Sequence, residues 1–260
     1  MSGPSPVPPP STPAAGPAAV RAVGFDAPLR WLRLGWKDIW RQPGASLFYG
    51  LCVAVSGVVI LGVTARLPYL FTAAVSGFLL VAPMLATGLY ELSRRYLAGE
   101  PAPLVASMTA WKRNPSGLVG FGLLSLLAGT AWQVISVVLV ALFYKGSAMA
   151  PLDMVREILL KPEYSLLFMV YIVVGGVIAA LVFAASVVSM PMLVDRRCDL
   201  LQALATSLAA VSESPLPLAL WAFLIMLLSA AGFATLLAGF IVILPWLGHA
   251  SFHAYRELVA

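Results

Sequence analysis

His249 and His253 are the two histidines of the chain and stand four residues apart, a spacing that puts both on one face of a helix. Two imidazoles so placed can share one metal ion, but a stable site takes three or four ligands. The residues able to add one are Tyr255, Glu257 and, if the fold brings them near, Glu91 or Asp195. The main reading of the pair is interfacial polar side chains with no metal; His249 and His253 are the candidates if one binds. Haem has less support, because two residues on one face of one helix cannot approach an iron from opposite sides, and no Cys-x-x-Cys-His occurs.

Other constellations are missing. There is no P-loop, dinucleotide fingerprint, zinc-protease motif or Gly-x-Ser-x-Gly elbow, so no catalytic residue is assigned, no cofactor is expected and the chain is read as a non-enzyme. Composition gives the reason. Of 260 residues, 61% are hydrophobic and 10% charged, against about 25% charged in a soluble domain. That excludes an ordinary water-soluble globule and leaves an integral membrane protein. Cys52 and Cys198 are too few for a disulfide-stapled scaffold. The net charge of +5 comes from residues flanking apolar blocks, so it gives nucleic acid binding no support.

A bilayer core of about 30 Å takes roughly 20 apolar residues in a helix. Uncharged blocks of that order run over about 45–65, 67–90, 117–144, 166–194 and 216–252, the second belonging to a span at about 67–92. The last is too long for one span with ordinary tilt; dividing it near Gly232 to Gly239 gives spans at 216–234 and 238–256, six in all, the alternative being one long or broken helix. Most of the 16 basic residues fall on one side, before span one (Arg21, Arg30, Arg33, Lys37, Arg41), in the second connection (Arg94, Arg95, Lys112, Arg113), in the fourth (Arg196, Arg197) and at Arg256. By the positive-inside rule both termini are then cytoplasmic. Residues 1–25, rich in Pro, Ala, Ser and Gly, are expected to be a disordered tail. They lack the basic start and apolar centre of a cleaved signal. Residues 26–260 then form a single membrane domain.

Two phrases recur three times in the same order. One centres on a proline in an even-numbered span: Val81-Ala82-Pro83-Met84-Leu85, Ser189-Met190-Pro191-Met192-Leu193 and Ile243-Leu244-Pro245-Trp246-Leu247. A proline inside a span removes a backbone bond and kinks the rod, so Pro83, Pro191 and Pro245 predict three kinked helices. The other is an amphipathic stretch that stops at Pro43, Pro115 or Pro215 just before an odd-numbered span. Each unit therefore reads as surface helix, helix up, kinked helix down. The fold class expected is an all-α polytopic membrane protein of six transmembrane helices, arranged as three hairpins with a pseudo-threefold internal repeat and cytoplasmic interfacial helices.

The first surface helix, 27–42, is the clearest. Asp26 can cap it and Pro28 sits in its first turn. Leu29, Leu32, Trp36, Ile39 and Trp40 fall on one face, and Arg30, Arg33, Lys37 and Arg41 on the other. This pattern places Arg30, Trp31, Arg33, Trp36, Lys37, Trp40 and Arg41 at the lipid interface, with the cations toward anionic headgroups. No ionisable residue falls at mid-membrane, which weighs against proton-coupled transport. The most polar residue at depth is Gln133, which could line a polar cavity or hydrogen-bond a neighbouring helix.

The run Leu29 to Asp38, the phrase Ala65 to Phe71, the stretch Gly88 to Arg95 and the ending Leu247 to Arg256 resemble a bacterial integral membrane family of unknown function, domain-of-unknown-function family 2189. The resemblance covers about residues 26–258 and implies a multi-pass protein of the inner, plasma membrane of a bacterium. Some members of that family carry a cytochrome c oxidase subunit I label. Haem–copper oxidases hold their haems and copper through several histidines, and two are present here, so the residues do not support that label. An accessory association with a respiratory complex would need no such ligands. The expected function is thus a non-enzymatic scaffold or accessory subunit of a membrane complex, partnered by membrane lipids and a membrane protein. The alternative is a carrier or flippase-like protein for a lipid or apolar solute, its three kinked helices meeting at a central cavity.

Overall fold

The computed structural model describes residues 16–67, 71–146 and 151–260. Among these the structure is helical, apart from one antiparallel bridge between Val20 and Val259. The order is α1 (Ala27–Arg41), α2 (Pro43–Arg66), α3 (Phe71–Ala98), α4 (Leu104–Met108), a 3₁₀ turn (Ala110–Arg113), α5 (Pro115–Phe143), α6 (Pro151–Leu160), α7 (Ser165–Ser186), α8 (Ser189–Asp195), α9 (Leu200–Glu213), α10 (Pro215–Ala234) and α11 (Phe240–Leu258). Among the described residues four stretches are long and apolar enough to cross a membrane: Pro43–Arg66, Pro115–Phe143, Pro162–Asp195 and Pro215–Ala234. Such a chain is a polytopic helical membrane protein.

Pro43, Pro115 and Pro215 open α2, α5 and α10. A residue before proline is pushed out of the helical region, and Gln42, Asn114 and Ser214 comply with nearly the same backbone: φ/ψ of −151/75°, −147/67° and −131/58°. The three helices also bury the same register. In α2 the buried residues are Ala45, Ser46, Tyr49, Gly50 and Ala54; in α5, Gly117, Leu118, Phe121 and Gly122; in α10, Pro217, Leu218, Trp221 and Gly232. Two, three and six residues after each proline the side chain is buried, and the sixth is always aromatic.

Packing is concentrated at this proline end of the helices. There Trp31 meets Trp221 edge to face at 5.7 Å, and Trp36 meets Trp246 at 5.1 Å, geometries that aromatic pairs favour. Beyond the first two turns the helices turn apolar side chains outward, among them Val58, Leu127, Val137, Ile172, Leu181 and Met226. A surface this apolar fits a hydrocarbon solvent, in which burying Leu or Val against protein brings no hydrophobic gain.

The long final block divides as the length argument requires. Helix α10 ends at Ala234 and α11 begins at Phe240. Thr235 makes the turn: its hydroxyl donates to the Gly232 carbonyl at 2.8 Å and accepts from the Gly239 amide at 2.8 Å. Leu236 and Leu237 take positive φ of 51° and 72°, an uncommon conformation for side chains of this size.

The three expected kinks differ. Pro245 lies inside the continuous helix α11, and Pro83 within the range of α3. At Pro191 the rod is broken rather than kinked, because α7 stops at Ser186 and α8 starts at Ser189. The Ser207 hydroxyl of α9 enters the gap, donating to the Ala184 carbonyl at 2.6 Å and accepting from the Val188 amide at 3.2 Å. It thereby bridges the two groups that an unbroken helix would join directly.

Two local expectations are corrected. Asp26 makes no cap hydrogen bond to α1, and its carboxylate pairs with Arg30. Trp31, expected at the lipid interface, is fully buried. The face of α1 against the protein is Pro28, Trp31, Leu32, Gly35, Asp38 and Ile39, while Leu29, Trp36 and Trp40 stay exposed. Gly35 sets this face, since a methyl group there would come within 2.6 Å of the Ala250 nitrogen of α11. Residues 16–25, the described end of the expected tail, run along the body: the amides of Ala18 and Val23 donate to Thr206 and Ser214, and that of Arg21 to the Leu258 carbonyl.

Candidate functional site

A buried polar cluster lies where α1, α2, α3 and α11 converge. Asp38 comes from α1, Ser46 from α2, Ser93 from α3, and His249 and His253 from α11. All five are buried. A carboxylate sunk this far must be hydrogen-bonded, and Asp38 is held by three groups: Ser93 Oγ at 2.8 Å and His253 Nε2 at 2.8 Å, both on Oδ2, and Arg41 Nη1 at 3.1 Å on Oδ1.

The direction of the protons follows from the acceptors. An ionised carboxylate only accepts, so Ser93 gives its one hydroxyl proton to Asp38. The contact between Ser93 Oγ and His249 Nδ1, at 2.7 Å, must then be donated by His249. That leaves His249 Nε2 as an acceptor, filled by the Ser46 hydroxyl at 2.9 Å. The result is a chain running Ser46 to His249 to Ser93 to Asp38, with His253 donating from the other side. Burial pushes the Asp38 carboxyl up, but the His253 and Ser93 hydrogen bonds outweigh it and hold the group below the usual carboxylate range. Tyr96 stands beside the cluster, its ring 6.4 Å from that of His249 and with the Arg41 guanidinium 5.6 Å above it. Burial, then the Asp38 charge, pushes its hydroxyl up to about 12.

Chemically this arrangement resembles an activated serine, because Ser46 donates to an imidazole whose other nitrogen is oriented by a third group. Ser46 and His249 are, however, fully enclosed, and a nucleophile needs a path for substrate. The chain of bonds instead ties three helices to α1 through groups that would each be costly to leave unpaired. As metal ligands, both nitrogens of His249 are already engaged by serines and His253 Nε2 by Asp38. Among the described residues no three His, Cys, Asp or Glu side chains cluster as a metal would need. Glu91 lies apart, buried under Arg94 and Arg95, each at 2.8 Å, with Arg113 at 3.8 Å. Asp195 pairs with Arg256 at 3.1 Å and accepts from the Tyr255 hydroxyl at 2.8 Å.

The spacing of His249 and His253 thus puts both on one buried face, which sequence placed at a polar interface. Asp38, Ser46 and Ser93 carry no motif and are distant in the chain. The one signal for Asp38 is an acid three residues after Gly35 and beside the apolar Ile39. The interface residues divide: Trp36, Trp40, Arg30, Arg33, Lys37 and Arg41 remain at least partly accessible, and Trp31 does not. Trp31 Nε1 donates to Glu257 of α11 at 2.9 Å, and Arg30 pairs with the same carboxylate.

A cavity of about 620 Å³ opens between α2, α3, α10 and α11, walled by Gly57, Leu89, Tyr90, Ser229, Leu244 and Ser251 among others. It is not the cavity the sequence suggested. Gln133, Pro191 and Pro245 do not line it, and the Pro83 side chain lies outside the described residues. Gln133 sits on α5 with its Oε1 buried and unpartnered among the described residues.

No curated protein and no solved structure matches the chain. A family model does match: residues 70–195 fit the family described as Predicted integral membrane protein (DUF2189), which is the membrane family of unknown function that the sequence resembles.

Proposed function

We propose that this protein is a non-enzymatic scaffold or accessory subunit of a bacterial inner-membrane complex. It has six spans in three hairpins, both termini on the cytoplasmic side, and anionic lipids and a membrane protein, such as a respiratory complex, as partners. The observation that carries the reading is the mounting of α1. Its inner face is fixed to α11 through Gly35, Trp31 and Asp38, while Leu29, Trp36 and Trp40 remain exposed beside Arg33 and Lys37. A rigid helix that displays tryptophans and cations is suited to hold a headgroup layer or a partner surface.

The shared backbone before Pro43, Pro115 and Pro215, and the shared burial register after them, support the threefold repeat. Helices α3 and α11 are then the two equivalents of α7–α8, and with the four long apolar stretches they make six spans. Affinity capture in mild detergent tests the scaffold. A stoichiometric membrane partner that is lost from Trp40→Ala/Lys37→Glu is expected, and capture of this chain alone overturns the reading. The second reading, a carrier for a lipid or apolar solute, is favoured by the apolar cavity of about 620 Å³. Transbilayer exchange of labelled lipid by the reconstituted protein tests it.

A further inference from the structure

The apolar cavity has a polar neighbour. Above it on the same two helices is a smaller pocket of about 160 Å³, lined by Arg94, Leu97, Ala98, Asp195, Phe252 and Arg256. Helical spacing places the two one above the other. On α3 the stripe Ala86, Tyr90, Arg94 advances by four residues at a time, and on α11 so does Leu244, Gly248, Phe252, Arg256; side chains four apart lie one above the other. The lower members wall the cavity and the upper members wall the pocket. Between them the rings of Tyr90 and Phe252 stack at 6.4 Å. The positions correspond, since Tyr90 and Phe252 each follow their span proline by the same number of residues, as do Arg94 and Arg256.

The chemistry changes in the order of a lipid. No charged residue lines the cavity, whose polar groups are Tyr90, Ser229 and Ser251. Its volume lies within the roughly 300–1,000 Å³ of ligand sites. Aromatic rings follow at the level where membrane proteins carry them. Two guanidiniums and one carboxylate come next. Arg94 is shared with Glu91 and Glu100, and Arg256 holds Asp195 at 3.1 Å while half of its side chain stays exposed. Arg95 and Arg113 also pair with Glu91, so four guanidiniums stand against Glu91, Glu100 and Asp195 and an excess of positive charge remains at the headgroup end.

We propose that the α3–α11 groove binds one anionic phospholipid, with an acyl chain in the apolar cavity, the glycerol level at Tyr90 and Phe252, and the phosphate at Arg256 and Arg94. The site deepens the carrier reading by naming its ligand class, and it stands as a bound-lipid site whether or not the lipid is moved.

The test reconstitutes the full chain in phosphatidylcholine vesicles containing phosphatidylglycerol, extracts it gently and weighs it intact with its retained lipid. One phosphatidylglycerol per chain is expected, enriched about tenfold over its share of the bilayer. Arg256→Gln should abolish the enrichment. Ser229→Trp, which fills the cavity from α10, should abolish retention of either lipid, and Ser251→Phe fills it from α11 should the first variant fail to fold. Retention of the two lipids in their bilayer ratio, or retention unchanged by both cavity fillers, overturns the site. Enriched retention without exchange of labelled lipid between leaflets supports the site and removes the carrier.

Discussion

Gly50 of α2 lies directly against the Ile241 carbonyl of α11, the acceptor that Pro245, four residues on, leaves without its helical donor. A methyl group at Gly50 would overlap that carbonyl. The proline exposes a backbone oxygen, and the glycine lets the neighbouring backbone cover it. The span therefore bends where another helix can close over it, as packed membrane helices allow.

Gly50→Ala should accordingly lower stability by about 1–3 kcal/mol, the usual range for overpacking. Gly44→Ala, in the same helix with open space around it, should be neutral or slightly stabilising. Thermal melting of the two variants in one detergent checks this; equal melting temperatures would show that α2 and α11 do not meet through Gly50.

Removing the Asp38 carboxylate breaks the polar chain at the point where Ser93, His253 and Arg41 converge. Asp38→Ala should cost about 3–5 kcal/mol, as for a buried pair deprived of one partner. Ser46→Ala, which removes only the donor to His249 Nε2, should cost about 1–3 kcal/mol. Denaturation in mixed micelles gives both values, and a smaller loss for Asp38 than for Ser46 would reverse the proposed hierarchy.

The same carboxylate predicts an acid limb. Its folded value lies below the ordinary one, so its contribution is fully present above the unfolded value, about 3.9, and is lost as pH falls through the depressed folded value. Between pH 5 and 7 Asp38 should add no slope to the melting temperature. Below pH 4 the wild type should lose stability more steeply than Asp38→Asn, and parallel curves for the two would remove Asp38 as the cause.

The two sides of α1 should separate stability from association. Trp31→Ala empties a buried site against Trp221 and should cost about 3–5 kcal/mol. Trp40→Ala, on the exposed side, should change melting by less than about 0.5 kcal/mol while lowering recovery of the membrane partner. Affinity capture paired with melting reads both effects; a large stability loss from Trp40→Ala would mean that its side chain packs within the protein.

Much of this architecture is legible in the sequence because membrane spans announce themselves by length. Pro43, Pro115 and Pro215 mark helix starts through a local backbone restriction, and the final block splits on length alone, with Thr235 at the turn. Trp31 illustrates what is not legible. The first helix has apolar residues around more than one face, and periodicity does not tell which face meets protein until Gly35 is seen against α11. The break before Pro191 depends on Ser207, which approaches from another helix. The Asp38 cluster draws on four elements, with Ser46 and His249 separated by 203 positions in the chain, and no short motif encodes such a meeting. His249 and His253 were visible as a pair, but their partners supply the meaning of the pair.

Native mass spectrometry of the protein released gently from its own membrane tests the scaffold reading most directly. The proposal predicts a mass that includes a second membrane protein in fixed stoichiometry, lost when the exposed side of α1 is altered by Trp40→Ala/Lys37→Glu. A mass of this chain alone, with or without bound lipid, would contradict it.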